Sequence, residues 1–144
     1  MIESLNVPVV SHGNKSLQYA KSGDAGMDLR ADEAVRLEPG EIRPVPTGVF
    51  MAIPEGYFGM VVPRSGAALN GLGVANSPGI VDSGYRGEIK VLSYNMSREP
   101  IQIHEGDRIA QIVFVSHAQA SLHPTNSLPT SERGLGGFGS TGVN

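Results

Sequence analysis

A few short stretches of this chain hold residue types that do chemistry together. Residues 79–91 place Asp82, Tyr85, Arg86 and Glu88 around Gly79, Gly84 and Gly87. Glycine lets a ligand approach the backbone closely, and a carboxylate beside a turn can sit at the mouth of a pocket. Taken alone, the same stretch is equally an ordinary hairpin whose Asp and Arg satisfy each other. Pro63, Arg64, Ser65 and Gly66 offer a guanidinium fork, a hydroxyl and backbone N–H groups at a helix start, which suits an anion. An N-cap with a surface arginine would look the same. Asp28 could reach a hydrated Mg²⁺, an ion that favours carboxylates plus substrate phosphates, although a solvated Asp is the plainer reading. Gln111 interrupts an apolar run of Ile109, Ala110, Ile112 and Val113, so it faces either a site or the far side of a sheet.

The C-terminal stretch is rich in glycine and also carries Arg133, Phe138, Gly139, Ser140 and Thr141. Exposed backbone N–H groups with Arg, Ser and Thr can wrap phosphate oxygens, and an isolated aromatic can stack on a base. No Gly-Lys-Ser/Thr follows, so this is not a Walker A loop. A disordered glycine tail is the alternative. His12, His104, His117 and His123 have no metal-ligand spacing and read as surface or structural residues.

The elements that must position these residues read as short strands. Residues 2–10 suggest an opening strand with Pro8 at an edge, and residues 11–16 a loop. Met27, Leu29 and Ala31 alternate with Asp28 and Arg30, giving a half-buried strand that shows Asp28 on its polar face. Val35 and Leu37 make a short strand before a turn at residues 38–41. A strand region over 42–53 is broken by Pro44 and Pro46, and residues 57–62 form a buried strand. Residues 67–70 are the best helix, with Ser65 as its N-cap. Residues 79–91 read as strand, tight turn, strand, continuing to Met96. Ile101 and Ile103 alternate, and residues 108–115 form a late core strand. Many short strands with turns between them predict an all-β jelly-roll barrel or sandwich with one short helix. Residues 1–118 form that domain, and residues 119–144 a linker and flexible glycine-rich arm without an apolar face of its own.

Composition narrows the function classes. The chain has 144 residues, 40% hydrophobic and 17% charged, which suits one globular domain. Its formal net charge of -3 gives no support for stable nucleic-acid binding. The absence of Cys excludes disulfides, a thiolate nucleophile and a Cys-based zinc site. No leader pattern and no bilayer-length apolar run is visible, so the expectation is a cytoplasmic protein with no membrane contact. The 19 Gly and 10 Pro argue against long helices.

In combination and in this order, these stretches resemble the five motifs of the trimeric deoxyuridine triphosphatases. Residues 25–31 resemble the first motif, residues 63–66 the second, 76–88 the third, 106–111 the fourth and 133–142 the fifth. The resemblance spans nearly the whole chain. It implies a jelly-roll homotrimer whose active sites are shared between subunits, with the arm of one closing over a neighbour's site. The implied reaction is dUTP plus water giving dUMP and pyrophosphate, with Asp82 as the base for the attacking water. Mg²⁺ would be held through water by Asp28, and Arg64, Ser65, Gly66 and Gln111 would hold phosphates. Asn76 and the backbone at Gly79 and Val81 would read uracil, and Tyr85 would pack on the deoxyribose. Arg133, Gly139, Ser140 and Thr141 would clamp the terminal phosphates while Phe138 stacks on the base. Many family members have an acidic residue where this chain has Gly84, a change expected to alter hairpin rigidity. Two other readings share the resemblance. One is a dCTP deaminase, in which Glu88 would be the catalytic carboxylate. The other is a nucleotide-holding regulator that signals to a protein partner.

Overall fold

The computed structural model describes residues 1–13 and 17–142; residues 14–16 of the expected loop and residues 143–144 of the arm lie outside them. Eleven strands and one short helix are present among the described residues. The strands are β1 (Val9–Ser11), β2 (Gly26–Arg30), β3 (Val35–Leu37), β4 (Ile42–Pro46), β5 (Val49–Met51) and β6 (Tyr57–Val62). After α1 (Ser65–Leu69) come β7 (Leu72–Val74), β8 (Gly79–Val81), β9 (Lys90–Asn95), β10 (Ile101–Ile103) and β11 (Arg108–Ser116). The ladders are antiparallel, in the orders β2-β11-β6-β8, β4-β9-β7, β1-β5 and β10-β3. Strands close in sequence lie in different sheets, which is the crossed connectivity of a jelly roll.

The period-two pattern of the sequence decides which side chains face inward. In β9, Val91, Ser93 and Asn95 are buried while Leu92 and Tyr94 are only partly so. Leu29, Leu37, Val45, Val91, Ile103, Ile109 and Ile112 form the inaccessible centre. Each such side chain contributes about 1.5–3 kcal/mol by leaving water. Asn95 shares that core because its polar atoms are all engaged: its Nδ2 donates to the Leu37 and Glu99 carbonyls, and its Oδ1 accepts from Ser97. Gly59 in β6 is required by packing, since a Cβ there would stand 2.8 Å from Ile112 Cδ1.

Four elements differ from the sequence expectation. Residues 2–8 keep the inward alternation, with Leu5 and Val7 half-buried, but pair with no strand; the ladder starts at Val9. Prolines do not divide the 42–53 region. Pro44 fits an edge strand, and the break falls at Gly48, whose φ is +70°. The helix begins at Ser65, with Arg64 rather than Ser65 in the cap position and no side-chain cap bond. Residues 79–91 are not a paired hairpin: β8 pairs with β6, while β9 pairs with β4 and β7. Residues 82–89 therefore cross between two sheets, with a turn closed by the Tyr85 N–H to the Asp82 carbonyl.

After Ser116 no strand or helix occurs among the described residues, and residues 117–134 are exposed. No helix is long and apolar enough to cross a membrane. A cleft of about 970 Å³ lies between the N-terminal segment and the β2, β11 and β6 side of the barrel. Ile2, Leu5, Tyr19 and Phe114 are among its walls, and it contains none of the candidate site residues.

Candidate functional site

The long central strand β11 brings three of the predicted stretches together. Gln111 pairs with Asp28 of β2 on one side and with Val62 of β6 on the other, next to Pro63 and Arg64. Asp28 Oδ1 accepts from Arg64 Nε at 2.8 Å, and Arg108 Nη1 lies 3.8 Å from Asp28 Oδ2. Gln111 Nε2 donates to the Pro63 carbonyl at 3.0 Å. Asp28, Arg64 and Gln111 are half-buried and Arg108 is exposed, so the Arg64–Asp28 pair and the Gln111 bond to the Pro63 carbonyl restrict rotamer freedom while leaving polar edges open. Gln111 is thus half-buried and turned toward the Pro63 carbonyl, beside Arg64.

Gly26 makes this arrangement possible. A Cβ at Gly26 would fall 2.0 Å from Gln111 Oε1. Gly26 is not among the sequence candidates, although glycine inside a strand pattern is the signal for such a close approach. Nor is Arg108, which sits opposite Arg30 in the β11–β2 ladder. The two like charges are kept apart because Arg30 donates to the Gly106 carbonyl at 2.9 Å while Arg108 leans toward Asp28. Ser65 and Gly66 are the first two residues of α1 and are exposed; the Ser65 hydroxyl has no hydrogen bond among the described residues.

The second group of candidates lies along β8 and the crossing segment. Asn76 is exposed, and its Nδ2 is 3.3 Å from where a Gly79 Cβ would be, so side chain and bare backbone form one surface. Gly79 and Val81 are buried edge-strand positions. Asp82 is exposed, and its carboxylate has no bond among the described residues. Tyr85 folds back, its hydroxyl donating to the Glu88 carbonyl at 2.7 Å, into space left by Gly87, where a Cβ would be 2.5 Å from that hydroxyl. Arg86 donates to the Ser83 and Tyr85 carbonyls. It does not pair with Asp82, so the ordinary self-satisfied hairpin is not what forms. Gly84 has open space around it. Glu88 Oε2 accepts from the Gly48 N–H at 2.9 Å.

Register separates the two groups within one protomer. Val81 lies opposite Gly59, so Asp82 continues past Phe58, away from Pro63. At about 3.3 Å per residue, Asp82 stands about 16 Å along the sheet from Pro63. The arm is a third, detached group. Its hydrogen bonds among the described residues run within the segment, such as Arg133 Nε to the Gly136 carbonyl at 2.7 Å and Ser140 N to the Gly137 carbonyl at 3.0 Å. Phe138 projects fully into solvent at φ +51°, followed by Gly139 at φ +78°; Ser140 and Thr141 are exposed beside them.

Among the described residues no three His, Asp or Glu side chains converge on a possible metal position. A lone half-buried carboxylate between two arginines is not a cage for a bare ion. It fits a hydrated Mg²⁺ that arrives with phosphates and keeps most of its waters.

The dUTPase family model matches residues 14–142. The chain belongs to the dUTPase family. The deoxyuridine 5'-triphosphate nucleotidohydrolase of Leifsonia xyli subsp. xyli is 50% identical over 144 residues, covering 99% of this chain and 93% of that protein. That of Cutibacterium acnes is 50% identical over 139 residues, covering 95% and 91%. Among solved structures, a mutant Staphylococcus bacteriophage 80alpha dUTPase with dUpNHpp superposes with a TM-score of 0.88 at 28% identity, over 96% of this chain and 99% of that one. A mutant dUTPase of phage phi11 of S. aureus, described with a structural Mg(II) ion, superposes at 0.79 with 26% identity, over 89% and 100%. The family match spans all three groups of residues.

Proposed function

We propose that this chain is a dUTP diphosphatase, hydrolysing dUTP to dUMP and pyrophosphate. The observation that carries the reading is the convergence of Asp28 within β2, Gln111 within β11 and Arg64 just past β6, in a chain of the dUTPase family. Asp82 takes a proton from water as the water oxygen bonds to the α-phosphorus. The bond from that phosphorus to the bridging oxygen breaks, and pyrophosphate leaves. A carboxylate is a weak base, so the rate depends on positioning and on neutralising phosphate charge. Arg64, Ser65 and Gly66 hold phosphate oxygens, and Gln111 meets the α-phosphate. Asp28 would hold Mg²⁺ through water, and the ion would supply further neutralisation of phosphate charge.

Asn76 and the backbone at Gly79 and Val81 read the polar edge of uracil, leaving no room for a thymine methyl and mismatching cytosine. Tyr85 packs on the deoxyribose and rejects a 2′-hydroxyl. Arg133, Gly139, Ser140 and Thr141 close on the terminal phosphates, with Phe138 over the base.

The distance along the sheet between Asp82 and Arg64 supports a site assembled from more than one copy, in a homotrimer with a mobile arm over residues 119–142. Such an enzyme, working in the cytoplasm without nucleic acid, limits uracil incorporation into DNA and supplies dUMP for dTMP synthesis. One oxygen of the Glu88 carboxylate, the group on which the rival deaminase reading depends, is engaged by the Gly48 N–H.

The test is pyrophosphate release with Mg²⁺ from dUTP, dCTP, dTTP and UTP, with ammonia measured on the dCTP sample. Release from dUTP alone is expected. Ammonia from dCTP would move the assignment to the deaminases, and no release from any of the four would leave a nucleotide-binding regulator.

A further inference from the structure

We infer that Glu88 is a positioning residue, which fixes Asp82 and Tyr85 by tying the crossing segment to the corner between β4 and β5. The inference rests on the diphosphatase reading above and deepens it. Residues 82–89 gain no ladder partner, since β8 and β9 belong to different sheets. Their placement therefore depends on a few discrete bonds, and these converge on Thr47, Gly48 and Val49. Gly48 N–H donates to Glu88 Oε2 at 2.9 Å. Thr47 Oγ1, fully buried, donates to the Ile89 carbonyl at 2.6 Å, and Ile89 N–H donates to the Val49 carbonyl at 2.8 Å.

From Glu88 the connection runs on to the proposed chemistry. The Glu88 carbonyl accepts from the Tyr85 hydroxyl at 2.7 Å, and the Tyr85 N–H donates to the Asp82 carbonyl at 3.1 Å. Two absent side chains keep the path open. Gly87 leaves room for the Tyr85 ring. Gly48 has φ +70°, and a Cβ there would be 3.1 Å from the Asp32 carboxyl carbon, so the corner that donates to Glu88 accepts no other residue without strain. Glu88 is thus a half-buried acceptor whose bond orients both the base and the sugar-reading ring.

The role predicts a loss of selectivity as well as of rate. Pyrophosphate release from dUTP and from UTP is measured for the wild type, Glu88→Ala and Glu88→Gln, with thermal midpoints taken separately. Glu88→Ala is expected to lower kcat/KM for dUTP about tenfold and the dUTP-to-UTP ratio about tenfold, because Tyr85 no longer stays in register. Glu88→Gln keeps an oxygen acceptor and is expected to restore both to within about threefold of the wild type. Should Glu88→Ala fail to fold, Thr47→Val removes the neighbouring donor and is expected to lower the same ratio about threefold, with Thr47→Ser restoring it. An unchanged ratio in Glu88→Ala, or in Thr47→Val where Glu88→Ala does not fold, overturns the inference. So does a Glu88→Gln enzyme as poor as Glu88→Ala, which would assign the carboxylate to the chemistry itself. A wild type inactive on dUTP overturns the diphosphatase reading instead, so the two failures are distinct.

Discussion

The cluster at Asp28, Arg64 and Gln111 and the arm over residues 131–142 use similar chemistry in opposite states. Both carry an arginine beside small residues. In the cluster, strands on both sides of β11 set the register, and each polar side chain is tied to another or to a carbonyl. In the arm, turns bond only to themselves and Phe138 faces solvent. The cluster meets its ordering entropy on folding, whereas in the proposed mechanism the arm would meet that cost on closing over a ligand. In that reading a preorganised half would hold phosphate where it must not move, and an adaptable half would admit substrate and release product.

The sharpest way to probe this contrast lies outside both halves, at Asp82. Asp82→Asn keeps size and removes the base. Turnover should fall about 10³-fold with nucleotide affinity largely kept, as single-turnover kinetics and equilibrium binding would report. Equal losses in both would remove Asp82 from its assigned role. Deleting residues 133–144 should cost about 10²-fold in kcat/KM while the oligomeric state and melting temperature stay put. A truncated chain that unfolds would make the arm structural and erase the contrast.

On the rigid side, Gly26→Ala forces its Cβ onto Gln111 Oε1. Moving that side chain should cost about tenfold in turnover and about 1–3 kcal/mol in stability, measured by kinetics and denaturant melts. The smallest effect is expected far from either half. The Glu38 N–H, followed by the Arg43 guanidinium, holds the Glu41 carboxyl below its ordinary value of 4.5. A depressed carboxylate stabilises the fold above its unfolded pKa, and that contribution is lost as pH falls through the folded one. Glu41→Gln should therefore melt slightly below the wild type at pH 7, with the gap closing below pH 4.5.

Much of this was legible beforehand, for identifiable reasons. Alternation at Met27, Leu29 and Ala31 reports a half-buried strand because a strand's side chains alternate in space, so Asp28 had to face outward. Family motifs named the residues at 63–66 and 106–111 because their chemistry lies in local residue types. What misled was punctuation. Pro44 was read as a break where an edge strand accepts it, and Ser83-Gly84 as a hairpin turn where the chain changes sheets. Neither choice is encoded locally, since both depend on which strand lies alongside.

By itself the sequence determined the β class, the inward-facing core residues and the list of chemical groups, because periodicity and side-chain chemistry are properties of the chain alone. Only the tertiary structure decided that Gln111 meets Pro63 in the space left by Gly26. It also decided that Glu88 is bound to Gly48 rather than free, and that Asp82 lies a strand's length from Arg64 in one protomer. Those facts follow from long-range register, which is set by the packing of both faces of every strand at once.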